Sequence, residues 1–211
     1  MEMMERCTMR LIEVVERLLN EEELAWLAKT VEAGGLLVYP TETLYGIGCD
    51  PMNQAAVKRL FETKERPISG EVSIAFDSLE TVKGWVDVPE QGLEILKAYA
   101  PGPLTLLIPR PRELKLGLPA SNKLGIRIPS HSICRQLLEA AGPLISTSAN
   151  RHGQPPSTKE AEKIAEQCEA FITSGGLGGE GSTIISLDEE RSEPGNWKTK
   201  ILRQGPLHLD L

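Results

Sequence analysis

The 211-residue sequence predicts an α/β protein whose single domain is built around a twisted mixed sheet. Two observations support this fold class. Short apolar runs, typical of buried strands, alternate along the chain with segments whose apolar residues recur at helical spacing. The chain also shows no internal repeat, linker or low-complexity segment that would divide it. One domain over residues 1–211 is therefore the simplest interpretation.

Side-chain caps and apolar spacing predict the helices. Asn20, with Glu23 three residues later, matches a capping box, and the glycines at 34–35 end the first helix. Asn53 is expected to cap a second helix, which ends near Pro67 because the residue before a proline avoids helical backbone. Further helices are predicted at 78–86, 89–99 and 133–141, and from a cap at Ser157 or Thr158 through about Glu169.

Apolar runs between these helices predict the strands. They fall at 9–15, 36–38, 72–76, 104–108, 124–128, 144–150, 171–172, 182–185 and 200–203. Residues 109–121 and 188–197 are predicted to be exposed loops. Residues 174–181 contain five glycines and are predicted to form a mobile or tightly turned loop.

Composition narrows the class of protein. A formal net charge of -7 argues against broad nonspecific nucleic-acid binding, although it leaves room for a local basic groove. The four cysteines are far apart and form no Cys-x-x-Cys pair, so we expect reduced thiols rather than a zinc site or a disulfide framework. No apolar run reaches the ~20 residues of a membrane span. We therefore expect a cytoplasmic protein with no membrane partner and no tightly bound organic cofactor.

The stretch 36–50 has the composition of a ligand-binding turn. An apolar run at 36–38 is followed by Pro40, which has no N–H to donate to a neighbouring strand. Two threonines and a glutamate follow at 41–43, and Gly46 and Gly48 allow backbone conformations closed to other residues. These residues suit a ligand pocket, and they equally suit a strand, a turn and a second strand.

Two other predicted strand ends share this polar character, at 146–150 and 181–183. Basic residues near such ends could hold an anion with several oxygens; they are Lys64, Arg66, Arg127 and Arg203. Arg127 lies inside an apolar strand and needs a partner, either a buried carboxylate or an anionic ligand. Lys64 and Arg66 could instead complement the dipole of the preceding helix. The phosphate-binding Walker A pattern does not occur in the sequence.

Six motifs in order resemble the YrdC/TsaC-type threonylcarbamoyl-AMP synthases, of the short single-domain kind. The motifs are YPTETLYGIG at 39–48, Lys64-x-Arg66-Pro67, PGPLT at 101–105, GIRIP at 125–129, STSAN at 146–150 and GSTII at 181–185. The ending ILRQG at 201–205 also fits. The resemblance covers about residues 8–206, nearly the whole chain.

The resemblance implies an open twisted sheet with a large concave cavity. It also implies an activity, in which L-threonine, bicarbonate and ATP become threonylcarbamoyl-AMP and pyrophosphate for the modification of adenosine 37 in tRNA. Mg²⁺ is expected to arrive on the phosphates of ATP. The product is expected to pass to tRNA-modification partner proteins. Weak RNA binding is also expected, since members of the family have been described as binding double-stranded RNA.

The resemblance also assigns roles to residues. Lys64 and Arg66 are expected to act in catalysis and to contact ATP. Ser148, Asn150 and Arg203 are also expected to contact ATP. Threonine is expected to contact Thr41, Thr43, Arg127, Ser146 and Ser182. The sequence departs from the usual pattern at Glu71, Ala75 and His152. Two alternatives therefore stay open, a double-stranded RNA-binding module and a catalytically divergent paralogue of the same fold.

Overall fold

The computed structural model describes residues 9–67, 72–111, 116–117, 122–175, 177, 179–190 and 195–209. Within these ranges the helices are α1 (Glu21–Glu32), α2 (Gln54–Thr63), α3 (Leu79–Trp85), α4 (Glu90–Tyr99), α5 (Ser132–Ala141) and α6 (Thr158–Ala165). The strands are β1 (Arg10–Glu13), β2 (Leu37–Pro40), β3 (Tyr45–Gly48), β4 (Val72–Ala75), β5 (Leu104–Pro109), β6 (Lys123–Arg127), β7 (Leu144–Ser148), β8 (Ala170–Thr173), β9 (Thr183–Glu189) and β10 (Trp197–Arg203). Among the described helices, none combines the length and the apolar character that crossing a membrane requires.

The strands form one ten-stranded sheet in the order β1-β8-β2-β3-β7-β4-β6-β5-β9-β10. Four neighbouring pairs are parallel: β1 with β8, β8 with β2, β4 with β6, and β5 with β9. The remaining neighbours are antiparallel. This mixed sheet with helices confirms the predicted α/β class.

Three buried apolar clusters hold the helices against the sheet. Phe61 of α2 and Ile164 of α6 belong to one cluster, and Leu96 of α4 belongs to a second. Leu27 of α1 and Leu137 of α5 share a third cluster with residues of β1, β2 and β8. The buried faces of α1 and α2 include the apolar residues Leu27, Val31, Val57, Leu60 and Phe61, which recur at helical spacing.

The ends of α1 follow the predicted chemistry. The Asn20 side chain accepts from the Glu23 amide at 2.9 Å, and the Glu23 carboxylate accepts from the Asn20 amide at 2.9 Å. Gly34, with φ of 83°, and Gly35 then donate to the carbonyls of Val31 and Thr30. These contacts form a capping box and a Schellman motif, so both predictions are confirmed.

Two boundaries predicted from the sequence were wrong, that of the 188–197 loop and the end of the last helix. The 188–197 segment is not only a loop, because β9 continues to Glu189 and pairs with β10 from Trp197 onward. This hairpin is at the edge of the sheet, where exposed polar residues are tolerated in strands. The last helix ends at Ala165 rather than near Glu169, because Glu169 bonds through its backbone to Leu36 and Arg10 in the neighbouring strand region. Residues 191–194 and parts of the predicted loops 109–121 and 174–181 lie outside the described residues.

The cysteines that the structure describes are buried free thiols. Burial raises the pKa of Cys49 and of Cys168 to about 12 in each case, and it also raises the pKa of Cys134. All three therefore remain protonated and unreactive near neutral pH. Cys7 lies outside the described residues.

Candidate active site

Strand register places small residues on one face of the sheet. Ser73 in β4 lies opposite Ser146 in β7 and Gly125 in β6. Ser148 shares that face, because it follows Ser146 by two residues, and it lies opposite Gly46 in β3. A β-carbon on Gly125 would come within 2.3 Å of the Ser73 hydroxyl oxygen. Only small residues fit in this row, and they leave a hollow above it.

The glycines of the 39–48 motif serve close packing rather than unusual backbone. Gly46 and Gly48 lie in the regular ladder of β3, and neither has a left-handed φ. A β-carbon on Gly48 would lie 2.3 Å from the carbonyl oxygen of Ile145. On Gly46 it would lie 3.1 Å from the ring of Tyr39. The expectation of special conformations at these glycines was wrong, because the packing of β3 explains both.

The hollow is a cavity of about 400 Å³, within the usual range for small-molecule sites. Hydroxyl groups, glycines and arginines dominate its lining. The predicted site residues in the lining are Thr41, Arg66, Arg127, Ser146, Ser148, Ser182 and Arg203. The predicted site residues outside the lining are Thr43, Lys64 and Asn150.

Arg127 is held at the end of β6 by the turn between β2 and β3. One terminal nitrogen, Nη2, donates to the Thr43 hydroxyl at 2.6 Å and to the Glu42 carboxylate at 2.8 Å. It also lies 3.4 Å from the Thr41 hydroxyl. The other Glu42 oxygen accepts from the Ser130 amide at 3.1 Å. Of the two partners proposed from the sequence, the structure provides the carboxylate.

The Arg127 guanidinium still has an unused donor. Its Nε is buried and has no hydrogen-bond partner among the described residues, although the side chain lines the cavity. A buried donor without a partner costs about 1–3 kcal/mol. Because the positively charged Arg127 side chain lines the cavity, this end of the site is suited to a carboxylate or a phosphate.

Arg203 defines another wall of the cavity. Its Nε and Nη2 donate to the Ser182 carbonyl at 3.0 and 2.8 Å, and the Ser182 hydroxyl shares a hydrogen bond of 2.8 Å with Thr105. A β-carbon on Gly181 would lie 2.8 Å from this guanidinium, which explains a glycine there. Burial, and the nearby positive charge of Arg127, lower the pKa of Arg203. Two cations that repel each other in this way favour an anionic ligand between them.

Arg66 is placed by the C-terminus of α2. Glu65 adopts φ of 51°, its amide donates to Glu62 and the Arg66 amide donates to Phe61 at 3.0 Å. This is a Schellman motif with a non-glycine residue in the left-handed position. The Arg66 guanidinium then packs over the Phe61 ring, 5.6 Å from its centroid. The helix therefore ends through this motif, before the predicted stop at Pro67.

Lys64 lies behind the cavity lining. Only 3% of the residue is exposed. Its ammonium donates to the Ser148 carbonyl and, at 2.8 Å, to the Asn150 carbonyl. These carbonyls belong to the last residue of β7 and to the segment that follows it, whereas the dipole alternative needs interaction with the end of the helix that precedes Lys64. Burial, and to a lesser extent the nearby Arg66, lower the pKa of Lys64 to about 8.

Asn150 shapes the same segment. Its amide nitrogen donates to the carbonyls of Arg151 at 3.0 Å and Gln154 at 2.7 Å. Its carbonyl oxygen, Oδ1, is buried without a partner among the described residues. Asn150 therefore closes the turn that follows Ser148, and it keeps one acceptor unused.

Sequence reasoning did not assign the roles of several residues of this site, and Glu42 and Thr105 are two of them. Glu42 was recognised as part of the polar turn, but its role as the carboxylate partner of Arg127 was not assigned. Thr105 lines the cavity and bonds Ser182, and its only signal was its position in the PGPLT motif. Both contacts join segments distant in sequence, so local spacing could not reveal them.

The two departures from the family pattern that the structure describes, Ala75 and His152, are not in the cavity lining. Ala75 is fully buried and lies opposite Arg127 in the ladder between β4 and β6. His152 is exposed, and its amide donates to the Lys64 carbonyl at 2.8 Å. Glu71 is outside the described residues.

The described part of the glycine-rich segment 174–181 contacts the β2–β3 turn. The Tyr45 hydroxyl donates to the Gly175 carbonyl at 3.1 Å, and the Gly179 amide donates to the Thr43 carbonyl at 3.2 Å. Residues 176 and 178 are outside the described residues. The described part of the segment therefore lies beside Thr43 and Tyr45, close to the turn that holds Arg127.

A protein-family model matches most of this chain and shows the family to which it belongs. The Sua5/YciO/YrdC model, described as "Telomere recombination", matches residues 29–205. The chain belongs to the Sua5/YciO/YrdC family. The family assignment agrees with the resemblance found in the sequence motifs.

Relatives within the Sua5/YciO/YrdC family carry a consistent name. A threonylcarbamoyl-AMP synthase of Stutzerimonas stutzeri is 34% identical over 171 residues, which cover 79% of this chain and 92% of the relative. A threonylcarbamoyl-AMP synthase of Pyrococcus abyssi is 34% identical over 212 residues, covering 95% of this chain and 58% of the relative. This chain therefore spans less than two thirds of the archaeal protein.

A solved structure supports the fold of this Sua5/YciO/YrdC member. The crystal structure of P. abyssi Sua5 complexed with L-threonine superimposes with a TM-score of 0.80 at 32% identity. The match covers 94% of this chain and 58% of that chain. The open mixed sheet is therefore shared with a protein that binds threonine.

Proposed function

We propose that this chain is an L-threonylcarbamoyladenylate synthase, a nucleotidyltransferase that acts on L-threonine, bicarbonate and ATP. Threonine nitrogen and carbon dioxide from bicarbonate form a carbamate. A carbamate oxygen attacks the α-phosphorus of ATP, and pyrophosphate leaves as threonylcarbamoyl-AMP forms. The product supplies the activated group for N6-threonylcarbamoyladenosine in tRNA.

The observation that carries this proposal is the cation-lined cavity. Arg66, Arg127 and Arg203 converge on about 400 Å³ in a chain whose formal net charge is -7. The carbamate and the triphosphate are both anions, so they repel each other unless fixed cations neutralise them. Positioning and charge neutralisation together can supply most of the rate enhancement that such a displacement requires.

The contacts suggest how the cavity is divided. Arg127, with its unused buried Nε, would take the threonine carboxylate, and the hydroxyls of Thr41, Ser146 and Ser182 lie in the same lining. Thr43 supports this end by accepting from Arg127. Arg66, Ser148 and Arg203 would take the nucleotide and its phosphates. Asn150 would shape the turn beside Ser148.

Mg²⁺ is proposed to enter as part of the ATP substrate. Among the described residues, no group of three or more His, Cys, Asp or Glu side chains is arranged to hold a metal ion. The cavity instead offers neutral hydroxyls and arginines, which suit phosphate oxygens that already carry a hydrated Mg²⁺.

The proposed surroundings of the reaction follow from the same chemistry. The mixed anhydride of the product is reactive, so we propose that tRNA-modification partner proteins receive it in the cytoplasm. RNA binding by this chain itself would be weak and local, because the chain is acidic overall.

Pyrophosphate release with each substrate omitted in turn tests this proposal. We expect release only when ATP, threonine and bicarbonate are all present. Release that ignores threonine would contradict the proposal and would favour a divergent paralogue. Sub-micromolar duplex-RNA affinity at physiological salt, without such release, would favour the RNA-binding alternative.

A further inference from the structure

Three hydrogen bonds join the end of α2 to the segment that follows β7. The Lys64 ammonium donates to the carbonyls of Ser148 and Asn150, and the Lys64 carbonyl accepts from the His152 amide at 2.8 Å. We propose that Lys64 is a positioning residue, which fixes Arg66 and Ser148 relative to each other and does not itself contact phosphate. This inference rests on the proposed function for the identity of the ligand. The role of Lys64 in holding the two segments together does not depend on that function.

The two joined segments each contribute one side chain to the cavity. Arg66 follows Lys64 by two residues in the Schellman motif, and Ser148 is the last residue of β7. Both side chains line the cavity, whereas Lys64 does not. In the sequence they are 82 residues apart, so their spacing depends on contacts between the segments. Lys64 makes those contacts with both its side chain and its backbone.

The surroundings of Lys64 explain why a lysine is needed there. The residue is 3% exposed, and its two hydrogen-bond acceptors are backbone carbonyls at the end of a strand. A buried carbonyl needs a donor, and the Ser148 carbonyl, which already accepts from the Asn150 amide at 2.9 Å, gains a second hydrogen bond from Lys64. An ammonium carries three donors on a long apolar stem, so it can cross from α2 and satisfy both carbonyls.

A phosphate-binding role predicts different contacts. A lysine that binds phosphate presents its ammonium to the cavity as a point charge. Here the ammonium is directed at Ser148 and Asn150, and the guanidinium of Arg66 is the group of this motif that lines the cavity. The two basic residues of the Lys64-x-Arg66 motif therefore have separate tasks, positioning for Lys64 and ligand binding for Arg66.

The first test measures amide hydrogen exchange of residues 148–154 in the ligand-free protein. The variants are Lys64→Met, Lys64→Gln and the control Lys58→Met, which changes a lysine on the same helix whose side chain is 67% exposed. We expect Lys64→Met to accelerate exchange in this segment at least about tenfold, since the carbonyls of Ser148 and Asn150 each lose the hydrogen bond from Lys64. Lys58→Met should leave it unchanged. Unchanged exchange in Lys64→Met would overturn the proposal.

The second test compares the activity of Lys64→Gln with that of Lys64→Met. The glutamine amide group carries two N–H donors and no positive charge. If Lys64 acts by holding carbonyls, Lys64→Gln should recover at least about tenfold in kcat/KM for pyrophosphate release over Lys64→Met, because it restores a hydrogen bond. Equal losses in the two variants would assign a charge-dependent role to Lys64 and overturn the proposal.

The outcomes separate this proposal from the proposed function. If wild type fails to release pyrophosphate in a threonine-dependent way, the function fails, while hydrogen exchange still decides the role of Lys64. If wild type is active and exchange in Lys64→Met is normal, only the positioning role fails. If Lys64→Met does not fold, Lys64→Gln decides: its amide donor should keep kcat/KM for pyrophosphate release within about tenfold of wild type, and a loss as large as that of Arg66→Ala would overturn the proposal.

Discussion

The Arg127 guanidinium donates to the Glu42 carboxylate over 2.8 Å, and the two side chains are only 11% and 16% exposed. Glu42 neutralises a cation that would otherwise be buried beside apolar strands. Glu42 and Thr43 both accept from Nη2, while Nε is buried without a partner among the described residues. This pair sets the orientation of the proposed threonine-binding arginine.

Glu42→Gln is expected to cost about 3 kcal/mol of unfolding free energy, because Arg127 would keep a buried charge without its partner. The KM for threonine should rise as the guanidinium loses its fixed orientation. The control is Glu62→Gln, in the exposed ion pair with Lys58, which should cost less than about 0.5 kcal/mol. Urea unfolding and threonine-dependent kinetics measure both effects. Similar small losses in the two variants would contradict this role of Glu42.

Arg66→Ala is expected to separate catalysis from stability. Loss of the contact with Phe61 should cost only about 0.5–1 kcal/mol, a shift of a few degrees in Tm. Loss of a phosphate ligand should lower kcat/KM at least ~30-fold, equivalent to ~2 kcal/mol. Arg66→Lys should recover little, because one ammonium cannot reproduce a bidentate guanidinium.

The control for Arg66 is Arg135→Ala, which changes an exposed arginine on α5 and should leave activity unaltered. Calorimetry and pyrophosphate release measure the two quantities. Normal release with a lowered Tm in Arg66→Ala would assign a purely structural role to Arg66.

Glu65→Gly should stabilise the protein. Glu65 has φ of 51°, a conformation that costs a residue with a β-carbon roughly 1–2 kcal/mol. Glycine removes this cost but loses more entropy on folding, so the net gain should be about 0.5–1 kcal/mol. The matched control, Glu62→Gly in the last turn of α2, should instead destabilise by about 1 kcal/mol. Thermal unfolding compares the two variants, and a loss of stability in Glu65→Gly would contradict the Schellman assignment.

Lys64 should make stability depend on pH. Its pKa falls from the usual 10.5 to about 8 in the folded protein, mainly through burial. Between these values the unfolded chain binds more protons than the folded one, so unfolding free energy should rise with pH. Urea unfolding of wild type and Lys64→Met, compared across this window, isolates the contribution of Lys64. A fall in the unfolding free energy of wild type relative to Lys64→Met as pH rises would show the opposite shift.

Much of the fold follows from local sequence. The Asn20 and Asn53 caps, the glycines after α1 and the apolar runs of β4 to β7 correspond to elements of the structure. The β9–β10 hairpin was missed because an edge ladder needs no apolar alternation on its exposed face. The end of α6 was misplaced because sheet pairing of Glu169 overrides helical propensity.

The site could be located from sequence, but its contacts could not. Ordered motifs identified residues that line one cavity, among them Arg66, Arg127, Ser148 and Arg203. The direction of the Lys64 side chain depends on how α2 lies against the exit of β7, which no spacing within either segment encodes. The pairing of Glu42 with Arg127 likewise joins two turns 85 residues apart.

The most direct test of the central claim follows labelled carbon from bicarbonate into the nucleotide product. Purified protein, ATP, Mg²⁺ and threonine should convert the label into a compound that contains threonine, carbonyl and AMP, with one pyrophosphate released for each. Arg127→Ala should abolish labelling at threonine concentrations that saturate wild type, because the carboxylate ligand is lost. Pyrophosphate release from wild type without incorporation of labelled carbon would contradict the claim.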